Sequence, residues 1–311
     1  MLGVINLLKP PGMTSHDAVA VVRRLLGVRR IGHAGTLDPG AAGVLPVAVG
    51  RATRLMRWLL QADKAYRAEM TLGIETDTLD AQGKTTAMNT DFRLAPARLV
   101  DAMYMFLGHV MQVPPMVSSV KVGGERLYRA ARRGEEVERA ARAVRIDEIA
   151  IRKVWPDGAL DLEFGSRVLF DVTCSKGTYI RSLVADIGKN VGCGAHLSFL
   201  VRTRSGPFVL EESHTLEEIR DAVEEGALDR VLLPPETALP RMPRVDLDPG
   251  TARRLCHGNP VPVTEGLPDD EYFRVHVRGG RMVAVGQRAP GPRPGVRPVV
   301  VLVDPEEELD G

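Results

Sequence analysis

The chain has little cysteine, few aromatic rings, almost no net charge and no long apolar run, and each shortage narrows the field. Its three cysteines in 311 residues are odd in number, widely spaced (Cys174, Cys193, Cys256) and outside any paired-ligand motif. That excludes a disulfide framework and a thiolate metal site, and reads as reduced cytosolic thiols. Aromatic residues make up 5% of the chain, too few for tolerant stacking of a single strand along many rings; recognition of one folded shape fits better. No apolar run approaches the roughly 18–20 residues of a membrane helix. The one basic residue of Met1 to Pro10, Lys9, follows the apolar residues instead of preceding them, so neither a secretory leader nor a membrane partner is expected and the location expected is the cytoplasm.

A net charge of +1 conceals strong segregation. Residues 1–60 carry eight Lys or Arg against two carboxylates, and residues 126–145 carry seven Arg against three Glu. Residues 216–230 hold six acidic and two basic side chains, and residues 304–311 hold five carboxylates and no base. Such segregation permits a positive face on a nearly neutral molecule, which is what a phosphate backbone requires. Solvated helix faces carry similar runs, so charge alone leaves both readings open.

The length allows one large domain and one small one. Ser15, as N-cap, with Ala18, Val19, Val22, Leu25 and Leu26 spells a helix that stops at Gly27. Gly43 to Val49 reads as a buried strand, with Pro46 marking it as irregular or at an edge. A short helix is expected over Ala52 to Leu60. Tyr66 to Leu72 alternates as a half-buried strand, and Pro96 to Phe106 is expected to be helical. Residues 126–142 are expected to form an Arg-rich helix broken at Gly134. Leu160 to Phe164 and Val168 to Cys174 are expected to pair as a hairpin turning at Gly165-Ser166, followed by a helix from Tyr179 to Gly188. This mixture predicts an α+β core with a mostly antiparallel mixed sheet flanked by helices. Pro234, Pro235, Pro240 and Pro243 mark a linker, after which short strands at Val261–Val263, Phe273–Val277, Met282–Val285 and Val299–Val303 predict a small β-barrel. The expected division is 1–238, with an inserted segment at about 85–145, and 241–311.

The densest segment is Gly32-His33-Ala34-Gly35-Thr36-Leu37-Asp38-Pro39. Two glycines let the backbone approach a ligand closely, and Pro39 biases Asp38 away from helical geometry. An Asp in a cationic stretch is expected to be ionised and paired. By these residues alone, Asp38 is either a turn cap or a functional carboxylate.

Residues 32–54, GHAGTLDPGAAGVLPVAVGRATR, closely resemble the signature of the TruB-type tRNA pseudouridine synthases. Four further motifs follow the same family in order. They are Leu8-Lys9-Pro10-Pro11-Gly12-Met13-Thr14-Ser15; Lys64-Ala65-Tyr66 leading through Leu72-Gly73 to Thr76-Asp77-Thr78 and Asp80; Pro115 to Gly134 with Ser118, Lys121, Gly124, Arg126, Tyr128, Ala131 and Arg132; and residues 174–183, CSKGTYIRSL. The opening of the last module, Arg253-Arg254-Leu255 with Gly258-Asn259-Pro260-Val261, more loosely resembles a PUA domain, a small RNA-binding barrel.

The resemblance implies an isomerase that needs no cofactor and no metal, acting on uridine 55 in the T loop of tRNA. It implies that Asp38 is the catalytic carboxylate and nucleophile, that Arg181 pairs with it, and that Tyr66 stacks on the base and can take its carbon-5 proton. Tyr179 is implied as a second pocket aromatic, and His33 as the side chain that occupies the space of the flipped nucleotide. Lys9 lies in a box read as a rigid turn buttressing the pocket and is grouped with the substrate-binding residues, as are Lys176 and the clamp arginines Arg126, Arg129 and Arg132. The implied enzyme is a monomer without an obligatory protein partner, able also to assist tRNA folding. A non-catalytic RNA-folding module, a base-removing glycosylase with an Asp nucleophile, and a guide-RNA-dependent relative are the competing readings. All matched chemical motifs precede Gly206, so residues 241–311 are expected to serve binding more than chemistry.

Overall fold

The computed structural model describes residues 1–118, 121–122, 125–127, 133, 135, 137–263, 267–290, 295–304 and 306, with the side chains of 121, 122, 125 and 126 left aside. Its centre is a nine-stranded sheet. Seven strands run across it: β1 (Gly3–Lys9), β3 (Ala42–Val49), β4 (Lys64–Leu72), β7 (Gly108–Gln112), β10 (Arg142–Trp155), β11 (Arg167–Cys174) and β12 (Ala195–Ser205), in the order β1-β3-β12-β4-β11-β10-β7. Short β2 (Ile31–His33) and β13 (Phe208–Val209) attach to β3 and β12. Hairpins β5 (Ile74–Thr76)/β6 (Thr85–Met88) and β8 (Lys121–Val122)/β9 (Glu125–Arg126) lie outside it. All pairings in the large sheet are antiparallel except β12 with β3.

Helix α1 (Ser15–Leu26) begins one residue earlier in function than its pattern suggests. The Thr14 side chain accepts from the Asp17 N–H, and the Asp17 carboxylate accepts from the Thr14 N–H, a capping box. Ser15 is thereby freed to turn inward, where it is buried. Gly27, at φ 63°, closes the helix. The short helix after β3 starts as a 3-10 turn (Gly50–Leu55) and continues as α2 (Met56–Gln61), and α3 covers Pro96–Tyr104. Helix α4 (Ile180–Val191) buries Ile180, Leu183, Val184 and Ile187 with Ala68, Met70 and Phe170 of the sheet. At roughly 1.5–3 kcal/mol for each large apolar side chain buried, that face holds the helix.

Three expectations need correction. Pro46 sits in an interior strand. Its carbonyl accepts from the Ala34 N–H at 2.9 Å, so the position without a donor faces the side where β2 has already ended at His33. The hairpin partner of β11 is β10, not Leu160 to Phe164. Leu160 and Phe164 are exposed, while Leu162 is buried and bridges Leu94. Register shifts at Ile146/Glu148 and Ile151/Lys153 break the alternation of β10 and hide it in the sequence. The expected Arg-rich helix is shorter than 126–142: Arg126 lies in β9, Leu127 is helical, residues 137–141 are irregular and Arg142 opens β10, while residues 128–132, 134 and 136 lie outside the described residues.

Helix α5 (Leu216–Glu224) packs beside α1. The proline-rich stretch is no free linker, because Pro235–Ala238 forms a 3-10 turn and Ala238 and Leu239 are buried. Beyond it, β14 (Arg244–Leu247), α6 (Pro249–Cys256), β15 (Val261–Pro262), β16 (Phe273–Val277), β17 (Met282–Arg288) and β18 (Gly295–Val301) form a five-stranded sheet in the order β14-β16-β17-β18-β15. One apolar cluster joins Met282, Val285 and Leu302 of this sheet region to Val4, Ala34, Ala52, Leu55 and Leu59 of the large domain.

Candidate active site

The Asp38 loop bridges β2 and β3, and four polar anchors hold it. Ser15 Oγ donates to the Leu37 carbonyl and accepts from the Leu37 N–H at 2.8 Å. Lys9, fully buried, donates through Nζ to the carbonyls of Pro10 (2.7 Å), Ala41 (2.7 Å) and Pro39 (3.4 Å). The Gly12 N–H also donates to the Pro39 carbonyl. Arg202 donates to the carbonyls of Gly35 (3.1 Å) and Val44 (2.7 Å). Glycine is required at both ends: Gly35 has φ +92° and Gly43 φ +109°, and a Cβ on Gly43 would lie 2.3 Å from the Arg202 carbonyl oxygen.

Asp38 meets Arg181, in the first turn of α4, with Oδ2 3.0 Å from Nε. The guanidinium is buried and satisfied on every side: Nη1 donates to the Thr78 carbonyl, Nη2 to the Val117 carbonyl, and Asp80 lies 3.6 Å away. Asp80 is aimed by a turn in which Leu79 takes φ 63°, a left-handed conformation rare for a leucine. The turn is held by the Leu79 N–H donating to Thr76 O and by Leu197 N–H donating to Leu79 O. Burial pushes the Asp38 carboxyl above its ordinary range; Arg181 opposes that, Asp80 reinforces it, and Lys9 opposes it more weakly.

Asp38 and Arg181 open onto a cavity of about 330 Å³, also lined by His33, Lys64, Tyr66, Ser118, Lys176, Tyr179 and Arg202. Tyr66 lies in β4, directly across from Arg202 of β12. Burial raises its phenol pKa, and the Arg202 charge opposes the rise. The Tyr179 backbone is clasped by Gln112, which accepts from its N–H at 2.8 Å and donates to its carbonyl at 3.0 Å. His33 is held neutral by burial and by the Arg202 charge, and its Nδ1 has no partner among the described residues. Lys176 is exposed at the rim and donates to Gln61 Oε1.

The structure thus brings Asp38, Arg181, Tyr66, Tyr179, His33 and Lys176 to one cavity. Lys9 stands behind the loop and is not among the lining residues. Arg129 and Arg132 lie outside the described residues, and Arg126 is described only through its strand. Sequence reasoning gave no role to Arg202, Lys64, Gln112 or Asp80. Arg202 had a legible signal, since it follows Leu200 on the buried face of an apolar strand. Lys64 donates to the carbonyls of Leu60 and Ala62 at the end of α2, and burial lowers its pKa to about 8. Among the described residues no cluster of His, Cys, Asp or Glu could hold a metal ion, and no helix is long and apolar enough to cross a membrane.

The mixed sheet is the fold of the pseudouridine synthase class, and here its loop carries a carboxylate paired to a buried arginine beside a tyrosine. Residues 23–180 match the model of the TruB family pseudouridylate synthase N-terminal domain, and residues 181–240 that of the tRNA pseudouridylate synthase B C-terminal domain. The chain is 54% identical to the tRNA pseudouridine synthase B of Symbiobacterium thermophilum, over 82% of each chain. It is 46% identical to that of Moorella thermoacetica, over 94% of this chain and 96% of the relative. Among solved structures it resembles that of an H/ACA RNP bound to a substrate RNA containing 2'-deoxyuridine, with TM-score 0.72 and 28% identity over 98% of this chain and 86% of that one. The archaeal box H/ACA sRNP Nop10–Cbf5 complex is similar, with TM-score 0.71 and 28% identity over 98% and 87%. The chain belongs to the TruB family of pseudouridylate synthases and is an isomerase. Asp38 lies in the first matched segment and Arg181 opens the second.

Proposed function

We propose that the protein isomerises uridine 55 in the T loop of tRNA to pseudouridine, with Asp38 as the nucleophile. The observation that supports this most is the Asp38–Arg181 pair at 3.0 Å, opening onto a cavity it shares with Tyr66. In the reaction the glycosidic bond from N1 to C1' breaks, the base turns, and a bond from C5 to C1' forms. The proton lost from C5 is balanced by one gained at N1, so no redox partner or cofactor is consumed. A covalent carboxylate intermediate divides the difficult step into two. Arg181 keeps Asp38 ionised against the upward push of burial. Tyr66 stacks on the base and accepts the C5 proton, and Tyr179 packs against the base.

A cavity of this size takes one extruded nucleoside and not a helix, so the uridine must leave its stack at a cost of a few kcal/mol. His33 offsets part of that cost by filling the space left behind. Lys176 and the arginines Arg126, Arg129 and Arg132 hold the RNA backbone, and Lys9 serves by fixing the Asp38 loop. Residues 1–238 form the catalytic unit, with 85–145 as clamp, and residues 241–311 a PUA-like RNA-binding domain. The enzyme works in the cytoplasm as a monomer without an obligatory protein partner, and flipping the loop also lets it assist tRNA folding. The test is incubation with unmodified tRNA, followed by carbodiimide mapping and mass spectrometry. Pseudouridine at position 55 with unchanged RNA mass is expected. No modification there, or loss of a base, overturns the reading.

A further inference from the structure

Arg202 touches both halves of this site, and beyond anchoring the Asp38 loop it has no part in the chemistry described above. Its backbone pairs with Gly43 at the end of the Asp38 loop and, on its other side, with Tyr66. Its guanidinium donates to the Gly35 carbonyl at the start of that loop and to the Val44 carbonyl just past its end. One residue therefore closes the loop bearing the carboxylate and stands across from the tyrosine. Its side chain is 1% exposed, and among the described residues it has no carboxylate partner within ion-pair distance. A buried guanidinium served only by neutral acceptors is costly to keep, so a merely structural clamp would be cheaper with a neutral donor.

We propose that Arg202 is a positioning residue that fixes the Asp38 loop relative to Tyr66 and supplies the positive charge that makes the Tyr66 hydroxyl a competent proton acceptor. The other groups facing Tyr66 do not duplicate this. Cys174 of β11 and Asp38 both disfavour the phenolate, and burial is the largest influence in the same direction. Lys64 of β4 is engaged by the carbonyls at the end of α2. Arg181 is occupied by Asp38 and Asp80, His33 is held neutral, and Lys176 donates to Gln61.

The inference rests on the functional reading above, and the test separates the two. Single-turnover release of the C5 proton, from tritiated tRNA at saturating enzyme, is followed against pH for the wild type, Arg202→Lys and Arg202→Gln. Failure of the wild type to release the label overturns the functional reading itself. Arg202→Lys keeps the charge and loses the fork; its rate is expected to fall about tenfold, with the limb on which the rate rises as Tyr66 loses its proton unmoved. Arg202→Gln keeps a donor and loses the charge; its rate is expected to fall at least a hundredfold at neutral pH, with that rising limb displaced to higher pH. Affinity for tRNA should stay within threefold in both. Should Arg202→Gln fail to fold, Arg202→Met with a melting-temperature control takes its place. The same pH limb in the wild type and a folded neutral variant, whatever the fall in rate, overturns the proposal.

Discussion

Asp38 is under two opposed pressures. Burial favours its neutral form, and the fixed guanidinium 3.0 Å away favours the carboxylate. If ionised Asp38 is the nucleophile, Asp38→Asn keeps the size and removes the charge, so turnover should fall to background with tRNA affinity within a few-fold; a filter-binding assay beside a tritium-release assay checks both. The acid limb of the wild-type pH–rate profile should lie above the ordinary carboxylate range, because the direction of the shift is upward. Activity is then lost as the pH falls through that raised value. Tyr66→Phe retains the ring in β4 and deletes the hydroxyl. Collapse of single-turnover rate with preserved binding is expected; near-normal rate would leave Tyr66 a stacking role only.

At the scale of elements, the loop from Ala34 to Ala41 has no regular structure of its own, and its geometry is borrowed from α1, β1 and β12 through Ser15, Lys9 and Arg202. Lys9 is the deepest of these anchors. Lys9→Met leaves carbonyl acceptors unpaired, which costs about 1–3 kcal/mol and lowers the melting temperature. Burial brings the Lys9 ammonium down to about 8 from 10.5. Between those values the unfolded chain binds more protons than the native one, so the stability contributed by Lys9 rises with pH across that window. The gap in melting temperature between wild type and Lys9→Met should therefore widen from about pH 8 to pH 10.5; a gap that narrows would show that the ammonium is not penalised there.

For the whole molecule, the decisive contact is between the C-terminal sheet and the segment Gly50–Gln61. Arg51 pairs with Asp304 at 2.7 Å and donates to the Val303 carbonyl, and Arg54 donates to the Val301 carbonyl. Trp58 meets Tyr272 edge to face at 5.6 Å, with the Arg57 guanidinium over both rings. That same segment ends at Leu60, in the cavity wall, and at the carbonyls that receive Lys64. Removing residues 241–311 should therefore lower the saturated chemical rate as well as tRNA affinity, and reduce thermal stability. This departs from the expectation that the C-terminal domain serves binding more than chemistry. Single-turnover rates at saturating RNA decide it, since an unchanged rate would mean the docking does not shape the pocket.

What the sequence determined by itself was local. The cap and stop of α1, the alternation of β4, the glycines and proline around Asp38 and the ordered motifs each depend on residues close together in the chain. They carried the fold class and the identity of Asp38, Tyr66, Tyr179, Arg181 and His33 as candidates. Bulges hid β10, because a shifted register erases the two-residue period. The proline-rich stretch read as a linker because its burial depends on partners far along the chain. Only the tertiary structure decided that Arg181 is shared between Asp38 and Asp80, that Lys9 stands behind the loop, and that Arg202 faces Tyr66. Charges buried in this way are dictated by which strands lie side by side, and strand order arises from long-range packing that no local pattern encodes.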